Sequence, residues 1–252
     1  MKCNIVLSGG GMRGSAHIGV LKALFEKGVQ PAGISGSSAG AFIGAFICDG
    51  YQPEEIAEII IRHEPGLKLG FSHLKKGLMD FKPVRDILRK NLRHNKIEEL
   101  IIPLFIAVTN LENGTQSFLT KGDIIQAVSA SSAIPIILPP VEINNSLYGD
   151  GGISNNLPVE PFVSSSYPTI GVHVNPISAF NKEGDWLENM ERTLHLLMRR
   201  TVMQSKEQCV LFIEPQGLSE FKMFEHGKSE EMIKIAYDYT LNNENLNALI
   251  RG

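Results

Sequence analysis

The amino terminus decides the fold, because residues 3–27 read CNIVLSGGGMRGSAHIGVLKALFEK. Residues 3–8 are a short apolar run, typical of a buried strand, and residues 15–27 repeat apolar side chains at helical spacing. Between them lies a glycine-rich loop, Gly9-Gly10-Gly11-Met12-Arg13-Gly14. Backbone N–H groups at the start of a helix attract negative charge, so this loop is a candidate anion site, with Arg13 as an additional positive charge.

A second strand and helix follow directly. Residues 33–35 predict a short strand and residues 39–49 an apolar helix. The turn between them, Gly36-Ser37-Ser38-Ala39-Gly40, matches the G-x-S-x-G pattern of a nucleophile elbow. Its position between a strand and a helix predicts that Ser38 is a catalytic nucleophile.

The rest of the chain continues this alternation. Strands are predicted at 101–108, 115–119, 167–174 and 210–213, and helices at 123–131, 185–205 and 229–242. Two further helices are predicted to begin near Pro53 and Pro83. We therefore predict an α/β fold of three layers, α/β/α, with a central, mostly parallel sheet and one domain spanning residues 1–252. Active sites in such sheets lie at the carboxyl ends of the strands.

A third glycine cluster surrounds an aspartate. Residues 141–143 and 147–148 predict a hairpin around Asn144-Asn145-Ser146, and Gly149-Asp150-Gly151-Gly152 follows it. A serine hydroxyl needs a base within hydrogen-bond reach, which makes Asp150 a candidate. The alternative is an aspartate that caps its own turn.

The first loop also satisfies the G-x-G-x-x-G pattern of dinucleotide-binding proteins. That site requires an acidic residue about 20 positions later to bind the ribose. Residues 29–35, VQPAGIS, contain no carboxylate. This absence favours an oxyanion site over a dinucleotide site.

In this order, the three glycine motifs resemble those of the patatin-like phospholipases. The supporting blocks are Ala16-His17-Ile18-Gly19-Val20-Leu21, Ser129-Ala130-Ser131-Ser132-Ala133-Ile134-Pro135 and Asn155-Asn156-Leu157-Pro158. The similarity extends from about Cys3 to Val174. One departure is Ser8, where family members often have an acidic residue.

The resemblance implies a serine acyl hydrolase of lipid esters, of the phospholipase A or lysophospholipase type. It implies a Ser–Asp dyad in which Ser38 forms an acyl-enzyme and Asp150 acts as the base, without a catalytic histidine or a cofactor. It also implies an oxyanion hole at Gly10, Gly11, Met12 and Arg13. The supporting glycines of the three motifs are Gly9, Gly14, Gly36, Gly40, Gly151 and Gly152.

Two alternatives remain open from the sequence. An α/β-hydrolase has its triad in the order Ser, Asp, His, and His173, His195 and His226 all follow Asp150. A catalytically silent lipid-binding module would keep the loops without turnover. No metal site is expected, since His63-Glu64-Pro65 lacks the second histidine of a zinc protease motif.

Charge is unevenly distributed along the chain. The net charge is −3, yet residues 62–96 contain ten basic and three acidic residues among apolar ones. This stretch predicts a basic lid or an insertion that contacts an anionic membrane, the alternative being a solvated helical face. The charge pattern does not indicate nucleic-acid binding.

The cysteine content and the hydropathy of the chain indicate a cellular location. Cys3, Cys48 and Cys209 are odd in number and widely separated, as expected in a reducing cytosol. The amino terminus does not resemble a signal peptide, and the longest apolar run, residues 39–48, is too short to span a bilayer. We expect a cytoplasmic protein, peripheral at the membrane, and the sequence does not indicate its oligomeric state.

Overall fold

A computed structural model describes residues 1–64, 81–135, 137–177 and 186–251 of the 252-residue chain. These residues form an eight-stranded sheet with helices around it. The strands are β1 (Lys2–Leu7), β2 (Gln30–Gly36), β3 (Leu104–Asn110), β4 (Gln116–Leu119), β5 (Val141–Ile143), β6 (Ser146–Asp150), β7 (Thr169–Val172) and β8 (Leu211–Ile213). The helices are α1 (Ala16–Glu26), α2 (Ala39–Cys48), α3 (Pro53–His63), α4 (Lys82–Asn91), α5 (Ile124–Ser131), α6 (Trp186–Lys206), α7 (Ser229–Leu241) and α8 (Glu244–Arg251).

The sheet is mixed but mostly parallel, as predicted. Its strands follow the order β5-β6-β3-β2-β1-β7-β8, and β4 also pairs with β3. Five neighbouring strands are parallel to one another, namely β3, β2, β1, β7 and β8. Antiparallel pairing occurs where β4 and β6 join β3 and where β5 joins β6.

The pairing of β3 brings two distant parts of the chain together. Ile106 pairs with Gly36 of β2 and also with β4, so β2 and β4 lie on opposite edges of β3. Val108 pairs with Asp150 of β6 and also with β4, so β6 shares the β2 edge. The carboxyl end of β6 therefore lies just beyond the carboxyl end of β2.

The two faces of the sheet are covered by different helices. Alternate residues of a strand point to opposite faces of its sheet, and the side chains of β1 divide between the two faces in this way. Ile5 and Leu7 belong to the larger core cluster, which includes residues of α1, α2, α3, α5 and α7. Val6 belongs to a second cluster with Phe162 and with Val202 of α6. The predicted three-layer arrangement is thus confirmed.

The start of β3 differs from the predicted one, and one helix was not predicted. Strand β3 begins at Leu104 instead of residue 101, because the N–H groups of Ile101 and Ile102 donate to the carbonyl of Cys48 at the end of α2. The last predicted helix, 229–242, is followed by an unpredicted one, α8. The predicted hairpin is confirmed, with Asn144 and Asn145 at φ 51° and 64°.

The structure describes only part of the basic stretch 62–96. Its ends belong to α3 and α4, whereas residues 65–80, with Lys68, Lys75 and Lys76, lie outside the described residues. Along α4, Lys82, Arg85, Arg89 and Lys90 are exposed, while Ile87 and Leu88 are buried. None of the helices in the described ranges combines the length and apolarity that a bilayer crossing needs.

Gly19 offers a test of the packing between α1 and α7. A Cβ atom at this position would lie 2.0 Å from the carbonyl oxygen of Ile233 and 2.8 Å from the amide nitrogen of Tyr237, both in the α7 backbone. We expect Gly19→Ala to lower the free energy of unfolding by about 1–3 kcal/mol, measured by urea denaturation, because the helices must separate.

Gly44→Ala is the matched control in α2. There the Cβ atom meets only side-chain methyls of Ile34 and Leu104, at 3.1 and 3.2 Å. Small shifts of these methyls are offset by the better helix propensity of alanine, about 1 kcal/mol. Equal losses of stability in both variants would contradict the assigned role of the Gly19 contact.

Candidate active site

Ser38 stands at a sharp turn between β2 and α2. Its backbone has φ 51° and ψ −118°, a region that residues other than glycine rarely adopt. The two glycines of the motif are required by close packing: a Cβ atom at Gly36 would lie 2.6 Å from the Ala41 nitrogen, and one at Gly40 would lie 2.2 Å from the Leu7 oxygen. This is the geometry of a nucleophile elbow.

A second serine holds the turn in place. The N–H of Ser38 donates to the Ser131 hydroxyl at 2.8 Å, and that hydroxyl donates to the carbonyl of Ala107 in β3 at 2.6 Å. Ser131 thus connects the elbow to the sheet. The sequence pointed to it only as one hydroxyl in the serine-rich block before the hairpin.

Asp150 ends β6 and lies against the elbow. Its side chain accepts hydrogen bonds from the N–H of Gly152 at 2.7 Å and from the Ser37 hydroxyl at 3.5 Å, and the neighbouring Ser38 hydroxyl stabilises its charged form. The Thr109 hydroxyl donates to its backbone carbonyl at 2.8 Å. The structure therefore brings together Ser38 and Asp150, two residues far apart in sequence.

The protonation equilibrium of Asp150 is shifted towards the neutral carboxylic acid. The residue is 3% exposed, and this burial raises the pKa of its carboxyl group to about 7. The N–H of Gly152 and the hydroxyls of Ser38 and Ser37 stabilise the charged form and oppose the shift. A carboxylate with a pKa in this range is a stronger base than an ordinary aspartate.

The first glycine loop lies beside the elbow. A Cβ atom at Gly9 would be 3.3 Å from Cβ of Ser38, and one at Gly14 would be 2.3 Å from Cβ of Ala39. Within the described residues, the N–H groups of Gly10, Gly11 and Ala39 have no hydrogen-bond acceptor. Free N–H groups beside a serine nucleophile can stabilise an oxyanion. The sequence analysis did not single out Ala39, although the residue after an elbow nucleophile often takes this role.

The other two predicted oxyanion residues have partners elsewhere. The N–H of Met12 donates to the carbonyl of Met223 at 2.8 Å, and the N–H of Arg13 donates to Gly10 at 3.1 Å. The Arg13 guanidinium is buried, donates to the carbonyl of Phe221 and forms an ion pair with Glu191 at 3.1 Å. These bonds tie the glycine loop to residues 221–223. Of the four predicted oxyanion residues, Gly10 and Gly11 are the two whose N–H groups have no acceptor in the described part of the chain.

The histidines take other partners. His173 Nδ1 lies 2.8 Å from a carboxylate oxygen of Glu214, and buried His17 Nε2 lies 2.8 Å from the carbonyl of Ser8. Burial lowers the pKa of His17 to about 4 and that of His195 to about 3. In the ranges that the structure describes, no histidine hydrogen bonds to Ser38 or Asp150.

An apolar cleft opens over Ser38. It receives side chains from the glycine loop, α2, α3, the start of α4, the segment before β5 and the segment before α7, namely Met12, Phe42, Ile43, Ile60, Phe81, Val84, Ile134, Ile137, Leu138 and Phe224. This lining was not identified from the sequence, because its members come from six separate segments. The described part of the chain contains no cluster of side chains suited to a metal ion.

Comparison with known proteins agrees with this geometry. The sequence profile of the patatin-like phospholipase family matches residues 5–163. An uncharacterized NTE family protein of Mycobacterium bovis is 32% identical over 203 residues, which are 77% of this chain and 56% of that protein. The lysophospholipase NTE1 of Candida glabrata is 32% identical over 165 residues, 62% of this chain and 9% of its own length. The matched region is thus about half of the first relative and a small part of the second.

Solved structures support the fold at low sequence identity. VipD from Legionella pneumophila superposes with a TM-score of 0.56 and 14% identity, covering 98% of this chain and 67% of VipD. ExoU in its complex with SpcU, from Pseudomonas aeruginosa, gives a TM-score of 0.52 and 16% identity over 99% of this chain and 52% of that one. The elbow, the aspartate turn and the glycine loop occur together on this fold, and the chain belongs to the patatin-like phospholipase family.

Proposed function

We propose that the chain is a serine acyl hydrolase of lipid esters, of the phospholipase A or lysophospholipase type, with Ser38 and Asp150 as its catalytic dyad. One observation carries the proposal: Ser38, held on a strained turn, lies beside the buried carboxyl group of Asp150, whose pKa is raised to about 7 by burial. The family supports lipid ester hydrolysis in general, and the Candida glabrata relative is a lysophospholipase by name.

The reaction follows from this arrangement. Ser38 Oγ attacks the ester carbonyl while its proton passes to Asp150, and the N–H groups of Gly10 and Gly11 stabilise the tetrahedral oxyanion. The proton then moves to the departing alcohol, and an acyl-enzyme remains. Water, deprotonated by Asp150, attacks the acyl-enzyme; the fatty acid leaves, and the proton returns to Ser38.

The cleft supports a lipid substrate. Its lining over Ser38 is almost entirely apolar, and such a surface gains free energy when it covers an acyl chain, about 0.8 kcal/mol for each buried CH₂ group. The carboxyl group of Asp150 is buried and protected from bulk water. This protection keeps its pKa high enough for base catalysis.

Substitution of the dyad tests the proposal. With a p-nitrophenyl ester of a medium-chain fatty acid, we expect Ser38→Ala and Asp150→Asn each to lower kcat by at least about 10³-fold, because nucleophile and base act as a unit. His173→Ala and His195→Ala are the controls and should stay within about tenfold of wild type. Full activity of Ser38→Ala would contradict the proposal, and loss in one histidine variant alone would favour a Ser–Asp–His triad.

Fluorophosphonate labelling separates the enzyme from a silent lipid-binding module. A reactive Ser38 attacks the phosphorus and forms a stable adduct, visible by mass spectrometry of the intact protein. We expect one adduct on wild type and none on Ser38→Ala. A folded wild-type protein without an adduct would favour the silent module.

The pH dependence of kcat/KM follows from the state of Asp150. Only the carboxylate can accept the serine proton, so activity requires the deprotonated form. Because the pKa of Asp150 is about 7, kcat/KM should rise about tenfold per pH unit below pH 7 and reach a plateau above it. An activity that is already constant from pH 5 would contradict the role of Asp150 as the base.

We also propose that α4, in the described part of the basic stretch 62–96, faces an anionic membrane. Phe81 and Val84, at the start of α4, line the cleft, while Arg85 and Lys90 on the same helix are exposed. Basic side chains beside an apolar opening match the surface of an anionic lipid bilayer.

Vesicle co-sedimentation tests this orientation. We expect Arg85→Glu combined with Lys90→Glu to reduce binding to vesicles rich in phosphatidylserine at least fivefold, with little effect on pure phosphatidylcholine vesicles. The control, Lys2→Glu combined with Lys206→Glu, makes the same charge change at exposed residues next to the amino ends of β1 and β8, away from the cleft. Equal binding of all proteins, or equal loss in both variants, would overturn the assignment.

A further inference from the structure

The peptide groups on both sides of Gly9 are held by buried asparagines. The N–H of Gly9 donates to Oδ1 of Asn156 at 3.1 Å and to the Asn156 carbonyl at 3.3 Å. The carbonyl of Gly9 accepts from Nδ2 of Asn175 at 2.7 Å. Asn156 is 3% exposed and Asn175 is 4% exposed, so water competes little for these bonds.

The bond to Asn175, together with a longer one from the Ser8 hydroxyl at 3.0 Å, fixes the Gly9 carbonyl and thereby the direction of the next N–H. The carbonyl of Gly9 and the N–H of Gly10 belong to the same peptide group, which is planar, so in the trans form they point in opposite directions. Because Asn175 holds the carbonyl on one side of the loop, the N–H of Gly10 must point to the other side. That N–H is one of the two proposed oxyanion donors, and it has no acceptor among the described residues.

Asn156 also contacts the aspartate turn. A Cβ atom at Gly152 would lie 2.8 Å from Oδ1 of Asn156 and 3.0 Å from Oδ1 of Asp150. Both oxygens lie within 3.0 Å of one point, so they are less than 6 Å apart. The same asparagine therefore borders both the oxyanion loop and the proposed base.

We propose that Asn156 and Asn175 are positioning residues that orient the Gly10 N–H group towards the oxyanion. This inference rests on the proposed ester hydrolysis. The two asparagines act in opposite senses, since the Asn156 side chain accepts a hydrogen bond from Gly9 whereas the Asn175 side chain donates one to it. The same substitution, asparagine to aspartate, therefore has different consequences at the two positions.

The test compares these substitutions in hydrolysis of a p-nitrophenyl ester. Asn156→Asp keeps an acceptor for the Gly9 N–H, so we expect kcat at pH 9 within about threefold of wild type. The assay is run at pH 9 because a new charge near Asp150 raises the pKa of the base. Asn175→Asp replaces the donor with an acceptor that faces the Gly9 carbonyl, and we expect kcat to fall at least tenfold with KM changed less than threefold.

Alanine variants and a neighbouring asparagine separate positioning from general stability. Asn156→Ala and Asn175→Ala should each lower kcat at least tenfold. A misdirected oxyanion donor weakens binding of the transition state more than binding of the substrate. Asn155→Ala is the matched control: its side chain bonds Glu160, Ser205 and the N–H of Leu157, away from Gly9. It should lower Tm without lowering kcat per folded protein.

The outcomes distinguish the two proposals. If wild type hydrolyses the ester and both aspartate variants have the same kcat, the positioning role is overturned. The proposal of ester hydrolysis then still stands. The positioning role also fails if the alanine variants change only Tm. If wild type neither hydrolyses the ester nor reacts with fluorophosphonate, both proposals fail. A low kcat for Asn175→Asp with retained activity in Asn156→Asp supports the positioning role.

Discussion

The approach of the Ser38 hydroxyl to the buried carboxyl group of Asp150 is the constraint on which the rest of the site depends. A carboxylate in water is too weak a base to activate a serine. Here burial raises its pKa to about 7, and the serine hydroxyls are among the few groups that compensate its charge. Nucleophile and base must therefore share one protected space, and the sheet provides it.

The sheet does so by an exchange of partners along β3. Its first residues pair with β2, which leads into the elbow, and its last residues pair with β6, which ends at Asp150. A backbone conformation like that of Ser38 costs on the order of 1–3 kcal/mol and persists only where the surroundings hold it. The hydrogen bonds from the Ser38 N–H to Ser131, and from Ser131 to Ala107, supply part of that constraint.

Much of the site could be predicted from the sequence because its signals are local. The elbow requires glycine at two positions around Ser38, where any side chain would collide with backbone atoms, and this requirement leaves a readable motif. The hairpin before Asp150 was readable for a similar reason, since Asn144 and Asn145 tolerate positive φ. Strand β3 was predicted three residues too early, because the apolar residues that precede it bond to the end of α2. Apolar character alone does not distinguish residues that pair in the sheet from residues that bond to the end of a helix.

The sequence by itself determined the α/β alternation, the three glycine turns and the identities of Ser38 and Asp150 as candidates, since each depends on neighbouring residues and their allowed backbone conformations. Only the tertiary structure decided which groups meet. It paired the Arg13 guanidinium with Glu191, placed Asn156 and Asn175 on the two sides of Gly9, and assembled the cleft from six separate segments. The contacts of Arg13 and Gly9 join residues more than a hundred positions apart, and no periodicity or spacing in one sequence encodes them. Their geometry results from strand pairing and from the tendency of buried polar groups to find hydrogen-bond partners.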